Sequence, residues 1–373
     1  MTTNFRDQAV SGVQKLQPYQ PGKPVEELER ELGISNIIKL ASNENPLGIS
    51  PKALAAMQKG LTELAIYPDG SGFNLKQAIA NKFGVSTSQI TLGNGSNDIL
   101  ELITRAYLEP SRGVVISEHA FAVYYISSQA VGAQLQIAKA NPATDAMPYG
   151  HHLQNLLHAI QDNTAVLFLA NPNNPTGTWF NSAELYSFLK QVPEKVLVVL
   201  DEAYTEYVTD PDFPDALPWL KEFSNLVITR TFSKIYGMAA LRVGYALSSP
   251  EIADILNRVR QPFNVNSLAL LAAEAALSDD AHLQNSKDTN TQGLQQWQAA
   301  CAEKGWKYIP TQGNFITIDC KRSGVEVFNA LLREGVIVRP IANYGMPNFI
   351  RITIGTPEQN TRCIAALAKV LAA

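Results

Sequence analysis

The sequence predicts an α/β fold, in which a large domain with alternating strands and helices is followed by a smaller α+β domain. Short apolar runs rich in Val, Ile and Leu predict strands at residues 89–92, 113–117, 165–170, 196–200, 226–231 and 242–246. Because these runs are apolar at successive positions, both faces of their sheet should be covered. Helical patterns between several of the runs, at residues 97–107, 122–131 and 182–191, predict crossover helices.

The last third of the chain has a different order of elements. Helical patterns cover residues 250–260, 267–277 and 282–304, and predicted strands at 315–319, 336–339 and 349–354 surround a further helix at 325–333. This order predicts the smaller α+β domain. The length of 373 residues also favours two domains, because a single hydrophobic core stops growing at roughly 250–300 residues.

Composition and charge argue against several classes of function. Apolar residues make up 46% of the chain and charged residues 17%, which is typical of a globular protein. The net charge is −4 and no long basic run is present, so neither a nucleic-acid surface nor an anionic-membrane surface is predicted. Cys301, Cys320 and Cys363 form no CxxC pair, which argues against a disulfide framework and a cysteine zinc site, and no metal is predicted. Residues 1–10 contain no apolar leader, and no run reaches the roughly 18 apolar residues of a membrane span, so a cytoplasmic protein is predicted.

Two of the predicted strands run into loops that are suited to binding. Gly95, Ser96 and Asn97 follow the strand at 89–92 and open a helix, where glycine admits an anion closely and first-turn N–H groups point at it. Ser96 and Asn97 could cap this helix and also donate to a phosphate. Asn174 lies between two prolines after the strand at 165–170, as a rigid amide donor. Taken singly, the first motif is more often an ordinary capped turn and the second a tight turn.

Two further strands end in ionisable residues. Asp201 directly follows the strand at 196–200, where a buried carboxylate needs a cation or hydrogen-bond donors and could pair with a protonated pyridine nitrogen. Lys234 follows the strand at 226–231, with Ser233 and Arg242 available as phosphate donors. A lysine held near other cations loses its proton more easily and becomes a nucleophile toward an aldehyde. Taken singly, Asp201 is better explained as a cap or surface ion pair, and Lys234 as a solvated lysine.

Taken together, the four strand-end motifs point to one cofactor. They supply, in order, an anion cradle, an amide donor, a carboxylate and a lysine with an arginine. Pyridoxal 5′-phosphate (PLP) requires this set, because it needs a phosphate site, a partner for ring O3′, an acid for the pyridine nitrogen and a Schiff-base lysine. The sequence therefore predicts a PLP enzyme.

The same motifs carry a resemblance to a known family. The segments LASNENPLG, YPDGSGFNLKQAIA, GNGSND, NPNNPTG, DEAY, TFSKIYGMAALRVGY and NYGMPNFIRITIG together resemble fold-type I, class II PLP-dependent aminotransferases, in particular their histidinol-phosphate branch. The resemblance implies a large domain with a mostly parallel seven-stranded sheet and a smaller α+β domain. It implies a homodimer in which residues 1–40 form an arm packing with the small domain and the partner, residues 41–265 the PLP domain, and residues 266–373 the small domain.

The resemblance also implies roles at the cofactor ring. Lys234, Asp201 and Tyr204 become the predicted catalytic residues. Lys234 bonds to the cofactor and later moves the proton between substrate and cofactor, and Asp201 keeps the pyridine nitrogen protonated. Asn174 and Tyr204 bond to O3′. Phe121 takes the place of the aromatic side chain that stacks on the ring; a phenyl group can stack there but cannot donate a hydrogen bond.

The phosphate and the substrate have their own implied residues. Those for the cofactor phosphate are Gly95, Ser96, Asn97, Ser233, Arg242 and, from the other subunit, Tyr67. Those for the substrate are Tyr19, Asn174, Arg339 and Arg351. Arg351 matches the arginine that binds the α-carboxylate of the amino donor, and Arg339 matches a position that binds the substrate phosphate in the histidinol-phosphate branch.

The predicted reaction is transamination between L-histidinol phosphate and 2-oxoglutarate, which gives imidazole-acetol phosphate and L-glutamate in histidine biosynthesis. The nearest alternative is an aromatic amino acid aminotransferase on the same scaffold, and a decarboxylase for a phosphorylated amino acid is a further one. A PLP-binding regulator would carry an additional DNA-binding domain, for which the residues before the large domain leave no room. A nucleotide-binding module is disfavoured because the GNGSN loop lacks both the GxGxxG spacing and a Walker lysine.

Overall fold

A computed structural model describes residues 4–18 and 22–372 of the chain. The strands are β1 Ile38–Lys39, β2 Ile90–Gly93, β3 Gly113–Ser117, β4 Gln134–Ala138, β5 Thr164–Ala170, β6 Leu197–Asp201, β7 Leu226–Thr231, β8 Gly244–Leu247, β9 Lys307–Ile309, β10 Phe315–Asp319, β11 Val336–Ile337, β12 Arg339–Pro340 and β13 Phe349–Thr353. The α-helices are α1 Phe5–Gln8, α2 Ser11–Gln14, α3 Val25–Leu32, α4 Pro51–Gly60, α5 Phe73–Phe83, α6 Ser96–Tyr107, α7 Ala122–Ala130, α8 Leu153–Ala159, α9 Ser182–Leu189, α10 Pro250–Val259, α11 Ser267–Ala276, α12 Asp280–Lys304, α13 Gly324–Arg333 and α14 Pro357–Ala372. Short 3₁₀ turns occupy Leu61–Glu63, Thr87–Gln89, Thr205–Tyr207, Leu217–Lys221, Ala239–Leu241 and Ala342–Tyr344.

The large sheet has seven strands in the order β2-β8-β7-β6-β5-β3-β4. Strand β8 runs antiparallel to both β2 and β7, and the other neighbouring pairs are parallel. The predicted α/β class with a mostly parallel seven-stranded sheet is therefore confirmed. Because β8 runs antiparallel to both neighbours, β2 and β7 run in the same direction. The loops that follow β2 and β7 therefore lie at the same end of the strands.

Both faces of the large sheet are covered. Along β6, Val198 and Leu200 belong to one buried apolar cluster, whereas Leu197 and Val199 belong to another. Successive strand residues point to opposite faces, so the two clusters lie on the two sides of the sheet. This explains why the central strands read as continuous apolar runs in the sequence.

The smaller sheet is antiparallel, with the order β12-β13-β10-β9. Its core includes Trp297 from α12, Leu331 from α13 and Leu367 from α14. The short strand β1 pairs in parallel with β11, so the N-terminal part of the chain joins this region. Helix α11 instead contributes Ala269 and Ala273 to the core of the large sheet. The division at residues 40 and 265 remains a prediction.

Over residues 4–18 and 22–372, no helix combines the length and the apolar character that crossing a bilayer requires.

Candidate active site

A cavity of about 410 Å³ opens where the carboxyl ends of β5, β6 and β7 face the first turn of α6 and strands β12 and β13. Ligands of open α/β sheets bind at such strand ends. Most of the predicted site residues line this cavity: Ser96, Asn97, Phe121, Asn174, Asp201, Tyr204, Ser233, Lys234, Arg242, Arg339 and Arg351.

Two predicted residues within the described part of the chain do not line the cavity. Gly95 directly precedes Ser96 of the cavity wall and lies against Arg242. Tyr67 lies elsewhere on the surface, 80% exposed, with its ring stacked on Phe263 at 4.8 Å between centroids. Tyr19 lies outside the described residues. The single chain therefore does not bring Tyr67 to the other candidates.

The start of α6 forms the predicted anion cradle, but its capping differs from the prediction. Helix α6 begins at Ser96, its N-cap is Gly95 at a φ of 85°, and no side chain caps it. The prediction that Ser96 and Asn97 cap the helix is therefore wrong, because both lie inside the first turn. An uncapped first turn leaves N–H groups available to an anion at the positive end of the helix dipole.

Arg242 brings a cation to this helix terminus. A Cβ atom at residue 95 would lie only 2.2 Å from Nη2 of Arg242, so the close approach requires glycine. Nη1 of Arg242 donates to Oγ of Ser233 at 3.2 Å and to the carbonyl of Ala239 at 3.0 Å. Burial lowers the pKa of the Arg242 guanidinium below its ordinary value. Guanidinium, hydroxyl and helix N–H groups together suit a phosphate.

Lys234 is the amine of the cavity. Its Nζ donates to the carbonyl oxygen of Ser42 at 3.0 Å and lies 5.8 Å from the ring centroid of Tyr204. Burial, followed by the positive charge of Arg351, lowers the pKa of Lys234 to about 7. A substantial fraction of the amine is then neutral near pH 7, which is the form that attacks a carbonyl.

Asp201 is the last residue of β6 and is 5% exposed. Its Oδ2 accepts from the hydroxyl of Tyr124 at 2.7 Å and its Oδ1 from Oγ1 of Thr229 at 3.0 Å. Burial raises the pKa of Asp201, and these two hydroxyl donors oppose the increase. Tyr124 and Thr229 were not predicted, since each lies on a different element from Asp201 and carries no motif of its own.

Tyr204 and Asn174 form the middle of the site. Nδ2 of Asn174 donates to the hydroxyl of Tyr204 at 3.2 Å, and Nδ2 of Asn43 donates to the same oxygen at 2.9 Å. Burial raises the pKa of Tyr204 to about 12, so its phenol keeps its proton at neutral pH. Asn43 belongs to the LASNENPLG segment, but its contact with Tyr204 was not predicted.

Phe121 lines the cavity at the start of α7. Its ring meets the ring of Tyr124 edge to face, with 5.7 Å between centroids. Tyr124 in turn stacks on Phe168 at 4.7 Å. Phe121 is thus fixed against the aromatic residue that holds Asp201, where it can present a flat apolar surface to a ring.

Two buried arginines lie opposite each other on neighbouring antiparallel strands. Arg339 of β12 and Arg351 of β13 are register partners, and they are 8% and 6% exposed. Arg351 donates from Nη1 to Oδ1 of Asn174 at 2.5 Å and from Nη2 to the carbonyl of Ala41 at 2.7 Å. Its Nε has no hydrogen-bond partner within the described chain. Like charges directly opposite each other destabilise a sheet, so this pair is suited to an anion between the two guanidinium groups.

The donor set fits pyridoxal phosphate. Gly95, Ser233 and Arg242 provide a cradle at one end, and Asp201 lies at the carboxyl end of β6 with the hydroxyls of Tyr124 and Thr229 on its oxygens. Lys234 provides the amine in the same cavity. These groups correspond to the phosphate, the pyridine nitrogen and the aldehyde of the cofactor.

Comparison with known proteins agrees with this geometry. Residues 35–367 match the family model for aminotransferase class I and II. The chain is 59% identical to histidinol-phosphate aminotransferase 2 of Pseudomonas fluorescens over 100% of both chains, and 57% identical to histidinol-phosphate aminotransferase 2 of Pseudomonas aeruginosa over 99% of both. The crystal structure of histidinol-phosphate aminotransferase from Sinorhizobium meliloti in complex with pyridoxal 5′-phosphate matches with a TM-score of 0.87, at 28% identity and over 97% of both chains. A Thermus thermophilus aspartate aminotransferase mutant shares the fold, with a TM-score of 0.83 at 19% identity over 96% of this chain and 98% of that one. The chain belongs to the class I and II aminotransferase family.

Proposed function

We propose that this chain is a PLP-dependent transaminase that exchanges the amino group between L-histidinol phosphate and 2-oxoglutarate, a step of histidine biosynthesis. The observation that carries this proposal is the pairing of Arg339 with Arg351 across β12 and β13, at the wall of a cavity that also contains Lys234. One substrate presents a phosphate and the other a carboxylate, and both anions fit the fork of an arginine. The names of the full-length relatives support the same substrate.

The chemistry divides between the cofactor and the side chains. When bound, PLP supplies an electron sink that stabilises negative charge at the substrate carbon losing its proton. Lys234, whose pKa is about 7, takes and returns that proton at Nζ. Asp201 keeps a proton on the pyridine nitrogen, while Tyr204 and Asn174 orient the ring through O3′.

The anion sites position the two reactants. Gly95, Ser96, Asn97, Ser233 and Arg242 hold the cofactor phosphate and so fix the ring relative to Lys234. Arg351 binds the carboxylate of the amino donor through its guanidinium, and Arg339 binds the substrate phosphate beside it. Holding the reacting carbon close to the Lys234 amine turns a collision into an internal step.

We also propose that the enzyme acts as a cytoplasmic homodimer. An apolar surface around Tyr67 supports the dimer, because several large side chains there are more than half exposed: Leu61, Leu64, Ile66, Tyr67 and Phe73. Exposed patches of this kind mark protein interfaces. A partner seated on it would bury Tyr67, which the sequence assigns to the cofactor phosphate of the other subunit. Mass photometry should give twice the chain mass of 40.7 kDa, and a monomer that turns over normally would contradict the proposal.

Amine exchange tests the substrate assignment directly. Purified enzyme supplied with histidinol phosphate and 2-oxoglutarate should form glutamate, and a matched reaction with an aromatic amino acid should be much slower. No glutamate from histidinol phosphate would refute the assignment, and faster turnover of the aromatic amino acid would favour an aromatic aminotransferase.

Arg339→Gln sharpens this test, because it removes the charge proposed to face the substrate phosphate. A hydrogen bond to a charged group contributes roughly 1.5–3 kcal/mol, so KM for histidinol phosphate should rise at least about tenfold. KM for an aromatic amino acid without phosphate should change little. An equal rise for both substrates would assign Arg339 to general packing instead.

A further inference from the structure

The segment that follows β1 contacts three functional groups with three consecutive residues. The carbonyl of Ala41 accepts from Arg351 at 2.7 Å, and the carbonyl of Ser42 accepts from Lys234 at 3.0 Å. Asn43 donates through Nδ2 to the hydroxyl of Tyr204 at 2.9 Å. The first two contacts use the backbone, which any residue can supply. The third depends on the side chain of Asn43.

Asn43 is held from several directions. It is 1% exposed, and its φ of 55° lies in the left-handed region that asparagine tolerates better than most residues. Its N–H donates to Oγ1 of Thr353 at 2.9 Å, and that hydroxyl donates back to Oδ1 of Asn43 at 3.3 Å. Asn314 donates to its carbonyl at 3.0 Å. With Oδ1 occupied by Thr353, the NH₂ group of the Asn43 side chain faces Tyr204.

Tyr204 consequently receives two amide donors at one oxygen. Nδ2 of Asn174 donates to the hydroxyl oxygen at 3.2 Å, and Nδ2 of Asn43 donates to the same oxygen at 2.9 Å. A phenol oxygen accepts through its lone pairs and donates one proton. When both acceptor positions are used, the proton is left to point in the remaining direction, into the cavity that Tyr204 lines.

We propose that Asn43 is a positioning residue that, together with Asn174, makes the Tyr204 hydroxyl a donor aimed at the cofactor ring. The proposal rests on the PLP chemistry proposed above and extends it to a residue that acts through the hydroxyl of Tyr204. A hydroxyl already directed at O3′ need not reorient when the cofactor binds, and such preorganised donors are the effective ones. The alternative is that Asn43 only ties the segment to Thr353 and Asn314.

Two variants at residue 43 remove the donor in different ways. Asn43→Gly deletes the side chain and keeps the left-handed backbone without strain. Asn43→Asp keeps the shape but presents only acceptors to Tyr204 at neutral pH. Asn314→Ala is the matched control, because it removes a buried tie to the backbone of Asn43 and leaves the contact with Tyr204 in place. Tyr204→Phe defines the effect of losing the hydroxyl altogether.

The measurements are the dissociation constant of PLP from each full-length protein and the pH midpoint of its visible absorption band. Both residue 43 variants should weaken PLP binding by up to about tenfold, the effect of one hydrogen bond. Both should also shift the absorption midpoint in the direction seen for Tyr204→Phe. Asn314→Ala should lower the melting temperature and leave both quantities as in the wild type. In Tyr204→Phe, adding Asn43→Gly should change neither quantity further.

Wild-type dissociation constants and midpoints in both residue 43 variants would overturn the proposal, and so would equal shifts in Asn314→Ala. Failure of the substrate assignment is distinguishable, because it appears as missing glutamate formation in the wild type while PLP binding remains. A wild-type protein without any visible band would overturn both proposals.

Discussion

Two acid–base pairs lie side by side at the ends of β6 and β7 and are arranged in opposite ways. On one face, Glu202 accepts from Arg230 at 2.9 Å from Nε and 2.7 Å from Nη2, with both side chains buried. On the other face, Asp201 bonds to two hydroxyls and Lys234 to a carbonyl, and within the described chain these two residues form no ion pair with each other. The same two types of charge are joined on the core side and kept apart on the cavity side.

The difference shows how one sheet edge supports both stability and chemistry. Burial alone would lower the pKa of Arg230, but the charge and hydrogen bond of Glu202, together with the nearby Tyr245 and Glu206, outweigh it, and the pKa ends above its ordinary value. Lys234 has no such partner, and burial with the nearby Arg351 brings its pKa to about 7. A buried cation is therefore inert when a carboxylate neutralises it, and reactive when the only acceptor is a neutral carbonyl.

Removing the unpaired amine should have the largest effect. Lys234→Ala should abolish turnover and the visible absorption of bound PLP, because no other amine lines the described part of the cavity. Lys139→Ala, at a lysine with a 78% exposed side chain, is the control and should behave as wild type. Retained activity in Lys234→Ala would break the assignment.

Breaking the joined pair should affect stability instead of chemistry. Glu202→Gln leaves Arg230 buried without its counter-charge, which should lower the free energy of unfolding by about 3–5 kcal/mol. Denaturant unfolding measures this loss. The double variant Glu202→Gln with Arg230→Met should lose less than the single one, since no unpaired charge remains. A single variant as stable as wild type would show that the pair is dispensable.

Removing the other separated charge should reduce the rate while leaving the fold largely intact. Asp201→Ala takes away the carboxylate proposed to protonate the ring nitrogen. We expect kcat to fall by at least about tenfold, or 1.4 kcal/mol of barrier. Circular dichroism verifies the fold, and a smaller fall in kcat would count against this role. Tyr124→Phe, which removes one donor to Asp201, should have a weaker effect in the same direction.

The effect of pH should be the most gradual. Lys234 is neutral above its pKa of about 7 and protonated below it. Capture of added PLP by the cofactor-free protein should therefore be fastest above pH 7 and slow by up to about tenfold for each pH unit below it. Stopped-flow absorbance follows this step. A capture rate that stays constant from about pH 5 to about pH 9, on both sides of the pKa of Lys234, would contradict a lowered pKa for this amine.

Much of the fold and of the site could be predicted because the information lies along the chain. Central strands such as β5 and β6 are continuous apolar runs, and Asp201, Asn174 and Lys234 each follow such a strand directly. Edge strand β4 was missed because its sequence, QLQIA, is partly exposed and contains two glutamines. An edge strand lacks the second neighbour and the burial that give a central strand its apolar pattern.

The missed contacts depend on tertiary structure. Asn43 meets Tyr204 across 161 residues of sequence, and Tyr124 meets Asp201 across 77. No local sequence pattern predicts such a partner, since asparagine is common in turns and tyrosine is often partly buried. The wrong capping prediction for α6 has a different cause: Gly95, at a φ of 85°, is itself the N-cap, so the helix starts at Ser96, earlier than a serine or asparagine cap would imply.

The short strand β1 has a practical consequence for protein engineering. Ile38 and Leu40 donate to the carbonyls of Gly335 and Ile337, and Leu40 accepts from Thr353, so this stretch is hydrogen-bonded both to β11 and to the end of β13. Ahead of it, Leu28 of α3 is buried against Ile337. Shortening the chain into either stretch would open the C-terminal sheet and disturb the wall of the cavity at once. Affinity tags and fusion partners are therefore best joined ahead of residue 1, with no residue of the chain removed.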